Sequence, residues 1–130
     1  MYKRQNRLNL GKIRKNEDIL WSFAPHDISM ITNIVDNQYD SIKSMGMKIS
    51  NSRVSDVSTT LIKYKSILAK ISVSWLHYEK VHEFFILGKK GMIIFNDTNS
   101  WGKKLNLNKY KINKNKIIKS SEKFLKIKKD

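Results

Sequence analysis

Apolar and polar residues alternate most regularly between Val57 and Trp75. Val57, Thr59 and Leu61 alternate with Ser58, Thr60 and Ile62. After a tight turn at Lys65-Ser66, the residues Ile67, Ala69, Ile71, Val73 and Trp75 fall on one face, and Lys70, Ser72 and Ser74 on the other. A period of two predicts strands with one buried and one wet face. Residues 81–87 and 92–95 predict a second hairpin across Gly88-Lys89-Lys90-Gly91, where glycine can take the backbone angles of such a turn. Residues 2–14 read as an opening strand closed by a turn at Lys15-Asn16. Residues 41–50 read as a strand with a bulge at Gly46.

One segment follows a different period. Ile28, Ile31 and Val35 have i, i+3, i+7 spacing and predict a helix ending near Val35 or Asp36. His26, Ser29 and Asn33 form a separate polar stripe on it. Ser22 can cap this helix, and Pro25 then lies in the first turn, where its missing N–H costs nothing. A helix starting near Asn16 would instead be kinked by Pro25. Asp36-Asn37-Gln38 is a turn by composition, and residues 96–108 are turn-rich. Beyond them, Ile117, Ile118, Ser121, Phe124 and Leu125 mark a short amphipathic helix. Strands in succession with short turns predict an α+β fold, a mainly antiparallel open sheet with one principal helix packed on one face. The expected division is a sheet domain at 1–102 and a Lys-rich tail at 103–130.

Composition changes this picture little. A chain of 130 residues is one domain by length. It contains no cysteine, so it has no disulfide framework and no thiolate metal site, which fits a reducing, cytoplasmic compartment. The opening residues carry charge without a following apolar run, unlike a secretory signal, and runs such as 84–87 are too short for a transmembrane helix. The net charge of +15 suggests nucleic acid, but Lys outnumbers Arg by 22 to 4, and base readout favours the Arg fork. Residues 103–130 alone carry +9, so most of the excess charge lies in the tail and nucleic acid is not the expected partner. His77 and His82 have no acidic or thiolate company and read as surface histidines rather than metal ligands.

The chemistry concentrates in Ile19-Leu20-Trp21-Ser22-Phe23-Ala24-Pro25-His26-Asp27-Ile28. A neutral imidazole at His26 can accept a proton from a sugar hydroxyl. The stretch resembles the W-D-x-A-P-H-D-I segment of the Gfo/Idh/MocA family of glucose–fructose oxidoreductases and inositol dehydrogenases. Arg7-Leu8-Asn9-Leu10-Gly11 resembles the strand preceding that helix in the nucleotide-amino-sugar dehydrogenase branch. Val54-Ser55-Asp56-Val57, Ile71-Ser72-Val73-Ser74-Trp75-Leu76, Lys80-Val81 and residues 88–97 follow in family order, so the likeness covers about residues 5–100.

The resemblance implies His26 as the catalytic proton acceptor, with Ser22 at the position of the family's Asp. It implies Arg7 and Asn9 as contacts to sugar or phosphate, and a nucleotide sugar as substrate, as in surface-polysaccharide synthesis. NAD or NADP is the family's cofactor. Its binding needs a glycine-rich turn, and the glycines at 11, 46, 88, 91 and 102 do not fit G-x-G-x-x-G. The family's Glu-Lys-Pro lysine is also absent, and the family's last strands are expected to be missing or replaced by the tail. The expectation is therefore a stand-alone, incomplete C-terminal substrate domain that binds no cofactor and is inactive alone, with a separate Rossmann-domain chain as partner. Two alternatives stand beside it. One is a binding module or homo-oligomer formed through the sheet. The other is a binder of polyanions or anionic membranes through the basic tail.

Overall fold

The computed structural model describes residues 1–14, 16–35, 38–50 and 53–127. Among them the chain runs β1 (Tyr2–Leu10), α1 (Ile19–Ile34), β2 (Ser41–Met47), β3 (Val57–Tyr64), β4 (Ile67–Ser74), β5 (Leu76–Gly88), β6 (Gly91–Asn96), a 3-10 turn (Trp101–Lys103), β7 (Leu105–Asn113) and β8 (Lys116–Phe124). One 8-stranded sheet holds them in the order β2-β3-β4-β1-β5-β6-β7-β8. Of the expected turns, Lys15, Asp36 and Asn37 lie outside the described residues.

The sheet is mainly antiparallel, as the alternation predicts, but the strands are not in chain order. β1 is inserted between β4 and β5, parallel to β4 and antiparallel to β5. The insertion is possible because the chain leaves β4 and crosses the end of β1 at Trp75. There the Trp75 carbonyl accepts from the Gly11 amide at 2.9 Å, and the chain re-enters as β5. Strand alternation reports which face a residue takes, and is silent on lateral neighbours.

α1 starts earlier than Ser22. Asp18 is the cap: one carboxylate oxygen accepts from the Leu20 amide at 2.9 Å and the other from the Ser55 amide at 3.2 Å. Ser22 is therefore inside the helix, and Pro25 lies in its interior, where it removes the donor for the Trp21 carbonyl. The face that meets the sheet consists of Ile19, Ala24, Asp27 and Ile31, with Val35 buried just beyond the helix end. Ile28, expected on that face, is exposed.

Two further expectations are corrected. Gly46 makes no bulge, since β2 and β3 pair in unbroken register. Glycine is needed because a Cβ there would stand 2.5 Å from Ser55 Oγ. The amphipathic helix expected over residues 117–125 is instead strand β8, paired with β7, and β7 extends the sheet from β6. A short run of apolar residues fits both periods, and pairing with β7 decides between them.

Ile62, Tyr64, Ala69, Ile71, Val73, Trp75 and Phe84 form the core with α1. At one end of it lies the buried Asp56. Its carboxylate accepts from the Ile49 amide (2.8 Å), the Ser50 amide (2.7 Å), the Ser50 hydroxyl (2.8 Å) and Trp75 Nε1 (2.9 Å). Burial alone would raise its pKa, but these donors hold it at about 2. Asp56→Ala would strand the Trp75 indole and two amides. It should lower unfolding free energy by about 3 kcal/mol or more, as read by urea denaturation. A loss near zero would mean these donors are satisfied elsewhere.

Candidate active site

Residues paired across strands share a face. Arg7 pairs with Val73 of β4 and His82 of β5, so Lys3, Gln5 and Arg7 face α1 beside Ala69, Ile71 and Val73. The helix thus rests partly on polar side chains. Opposite them it presents Asp27, which is fully buried. Lys3 Nζ, both amide atoms of Gln5, both carboxylate oxygens of Asp27 and His82 Nε2 are buried without a hydrogen-bond partner among the described residues.

Arg7 ties the strand to the helix. Its Nη1 donates to the Phe23 carbonyl at 3.4 Å, and its guanidinium lies 5.6 Å from the Phe23 ring centroid. Burial pushes Asp27 up from 3.8 to about 7, against the opposing pull of Arg7. Burial, then the Arg7 charge, lowers the His82 pKa. Asp97, whose carboxylate is 3.2 Å from His82 Nδ1, opposes this. Burial also lowers Lys3.

Of the residues singled out by sequence, Ser22 and His26 stand one turn apart on α1, Ser22 half-buried and His26 exposed. Asn9 is half-buried and lies on the same face of β1 as Arg7. No hydrogen bond or ion pair joins His26 to Ser22, Arg7 or Asn9 among the described residues. Beside His26, Leu20, Trp21, Pro25, Ile28 and Ser29 line an open groove of about 360 Å³. Asp27 was missed by the sequence reading, although its i+3 and i−4 spacing to Ala24 and Ile31 puts it on the sheet-facing stripe. His82 is half-buried rather than a surface histidine, because its strand position faces Arg7. Among the described residues no group of three or more His, Asp or Glu could hold a metal ion.

A dinucleotide would need free amides at a helix N-terminus following a glycine-rich turn. At α1 the Asp18 carboxylate already takes the Leu20 amide, and Gly11 is the one glycine between β1 and the helix. An anionic carboxylate at that position repels a pyrophosphate, so these residues do not fit NAD or NADP.

The fold and the helix carrying His26 are those of a sugar-dehydrogenase substrate domain. The chain belongs to the GFO/IDH/MocA C-terminal domain family, whose model matches residues 4–94. A search of curated proteins found no match. Among solved structures, the chain is similar to UDP-N-acetylglucosamine 3-dehydrogenase GnnA from Acidithiobacillus ferrooxidans. The TM-score is 0.73 at 15% identity, covering 98% of this chain and 40% of that one. It is similar to the WlbA dehydrogenase from Bordetella pertussis, solved with NADH and UDP-GlcNAcA, with a TM-score of 0.63 at 14% identity, covering 73% of this chain and 33% of that one. It is also similar to levoglucosan dehydrogenase in complex with NADH, with a TM-score of 0.68 at 14% identity, covering 96% and 39% of the two chains. The chain therefore spans well under half the length of each of these enzymes.

Asp27 makes a pH dependence testable. Unfolded, it loses its proton near 3.8, and in the fold near 7. Between these values the folded state binds more protons, so the stability Asp27 contributes is present below pH 4 and is lost as pH rises to about 7. His82, lowered from 6.5, acts in the opposite sense as pH falls below that value. Comparison with Asp27→Asn separates the two. The variant's stability relative to the parent should climb across pH 4–7, by at most about 1.4 kcal/mol per pH unit, and stay level above. Urea unfolding across that range checks it, and a constant difference would mean Asp27 ionises freely in the fold.

Proposed function

We propose that this chain is the substrate-side domain of a Gfo/Idh/MocA-type NAD(P)-dependent oxidoreductase acting on a nucleotide-activated amino sugar, with His26 as proton acceptor. The observation that carries this reading is the placement of His26 on the exposed face of α1, beside an uncovered apolar groove. An imidazole so placed can meet a hydroxyl held between this domain and a second body covering the groove. His26 takes the proton of the sugar hydroxyl undergoing oxidation. Asn9 and Arg7 contact the sugar or its phosphates, and Arg7 also fixes Phe23 on the helix. Ser22 offers His26 a hydrogen bond but no charge, so the imidazolium formed gains less support than a carboxylate would give. The cofactor belongs to a separate Rossmann unit, since the start of α1 is closed by Asp18.

Titration with UDP-N-acetylglucosamine, followed by amide chemical shifts, should perturb Asn9, Ser22 and His26. Silence at all three would remove the nucleotide sugar as substrate. The chain alone should bind neither NAD nor NADP by calorimetry and give no reduced-nicotinamide absorbance. With a family Rossmann unit supplied, turnover should appear, rise in Ser22→Asp and vanish in His26→Ala. Turnover by the chain alone, abolished by His26→Ala, would overturn the division of labour.

A second reading, self-association through the sheet, is favoured by the face opposite α1. There Met45, Met47, Leu61, Leu68 and Leu87 are exposed, and Leu68 and Leu87 both flank Tyr2. Sedimentation should show a dimer that Leu68→Glu converts to a monomer. A monomeric parent at high concentration would exclude this face as an interface between copies.

A further inference from the structure

The distal half of the β7–β8 hairpin stands clear of the sheet. β6 pairs with β7 only as far as Gly91 opposite Lys109. Tyr110 anchors the base of the free segment: its amide donates to the Lys90 carbonyl at 3.2 Å and its hydroxyl to the Gly88 carbonyl at 2.6 Å. Beyond it, Lys111 pairs with Ile118, Ile112 with Ile117 and Asn113 with Lys116, around a turn at Lys114-Asn115. Every residue from 111 to 124 is exposed. A two-stranded ribbon with no third strand is marginal in water, so this one gains by docking.

Its composition indicates against what. Residues 110–119 contain four Lys (111, 114, 116, 119), three Ile (112, 117, 118) and no acid. Ile112, Ile117 and Ile118 are 58%, 70% and 51% exposed. Ile112 and Ile117 sit directly opposite each other and share one face. Solvated charge alone would not place aliphatic side chains at the most exposed part of the fold. A nucleic acid would use the lysines but gain little from the isoleucines, and the ribbon beyond Tyr110 has neither an aromatic ring to stack on bases nor an Arg fork to read them. Both residue types are used at an anionic bilayer surface. There aliphatics enter the boundary between headgroups and acyl chains, while lysine stems lie along apolar surface and their ammonium groups reach lipid phosphates.

We propose that the β7–β8 ribbon is a membrane-docking element that seats Ile112 and Ile117 in an anionic lipid surface. The proposal is independent of the role given to His26. Each lysine near such a surface contributes about fivefold in partitioning, and the isoleucines add an apolar contribution that salt does not screen.

The test is co-sedimentation of the full chain with vesicles of phosphatidylcholine alone and of phosphatidylcholine mixed with phosphatidylglycerol, with circular dichroism as the check on folding. Binding is expected to the mixed vesicles only. Ile112→Asp/Ile117→Asp should abolish it, and Lys114→Gln/Lys116→Gln should weaken it by about twenty-five-fold. Both variants alter side chains beyond the last anchored residue and should fold. Hydrogen exchange of residues 111–118 should slow on adding mixed vesicles. Failure to bind mixed vesicles overturns the proposal. So does binding unaffected by the isoleucine variant, which would mean a generic polyanion surface. Tighter binding to duplex DNA than to vesicles would make the ribbon a nucleic-acid element, and a dimer lost in the isoleucine variant would make it an interface between copies. Either result overturns the lipid assignment.

Discussion

Four segments of the chain meet at the buried Asp56 carboxylate, and their relative placement depends on it. The residues leaving β2 donate to it through Ile49 and Ser50, and Trp75, where the chain crosses from β4 to β5, donates its indole N–H. Its own amide donates to the Met47 carbonyl at 2.9 Å, and the neighbouring Ser55 carbonyl accepts from Ile19 at the start of α1 at 3.3 Å. A charge in this position is tolerable only because donors surround it. The same donors would be costly without it, so carboxylate and crossing stabilise each other.

Much of the sheet was legible in the sequence. The stripe Ala69-Ile71-Val73-Trp75 is buried as its alternation requires, and the turns at Lys65-Ser66 and between Gly88 and Gly91 fall where composition puts them. The neighbours of β1 were not legible, because pairing of Tyr2 with Leu68 and Leu87 leaves no mark on local periodicity. The start of α1 was misread for a related reason. Asp18 and Ser22 are both good caps, and Pro25 is at home in a first turn. The long-range bond from the Ser55 amide to Asp18 decides between them. In the tail, lysines masked a strand pattern that becomes evident only once β7 has β6 to pair with.

The candidate site divides along the same line. His26 and Ser22 were found by resemblance, and their exposure on one helix is a property local sequence can express. The polar seat beneath the helix is a product of the third dimension. Lys3, Gln5 and Arg7 come from β1, Asp27 from α1 and His82 from β5, and none is unusual in its own segment. Together they make the helix that carries His26 rest on groups with unmet hydrogen-bonding capacity. Its hold on β1 is therefore weaker per unit area than its hold on the aliphatic side chains of β4.

The interior position of β1 also sets an order of events in folding. Of these strands it leaves the ribosome first, yet both its partners are made much later. Hairpins β3–β4 and β5–β6 close short loops and form quickly, whereas seating β1 requires closure over most of the sheet's length. The parallel pairing of β1 with β4 is the kind of non-local contact that slows folding. Until β1 is seated, β4 and β5 each present an open edge with no neighbour, and the two wings of the sheet are separate bodies joined only through Trp75. The polar residues Lys3, Gln5 and Arg7 keep the waiting strand hydrated during that interval, which limits premature pairing with another copy.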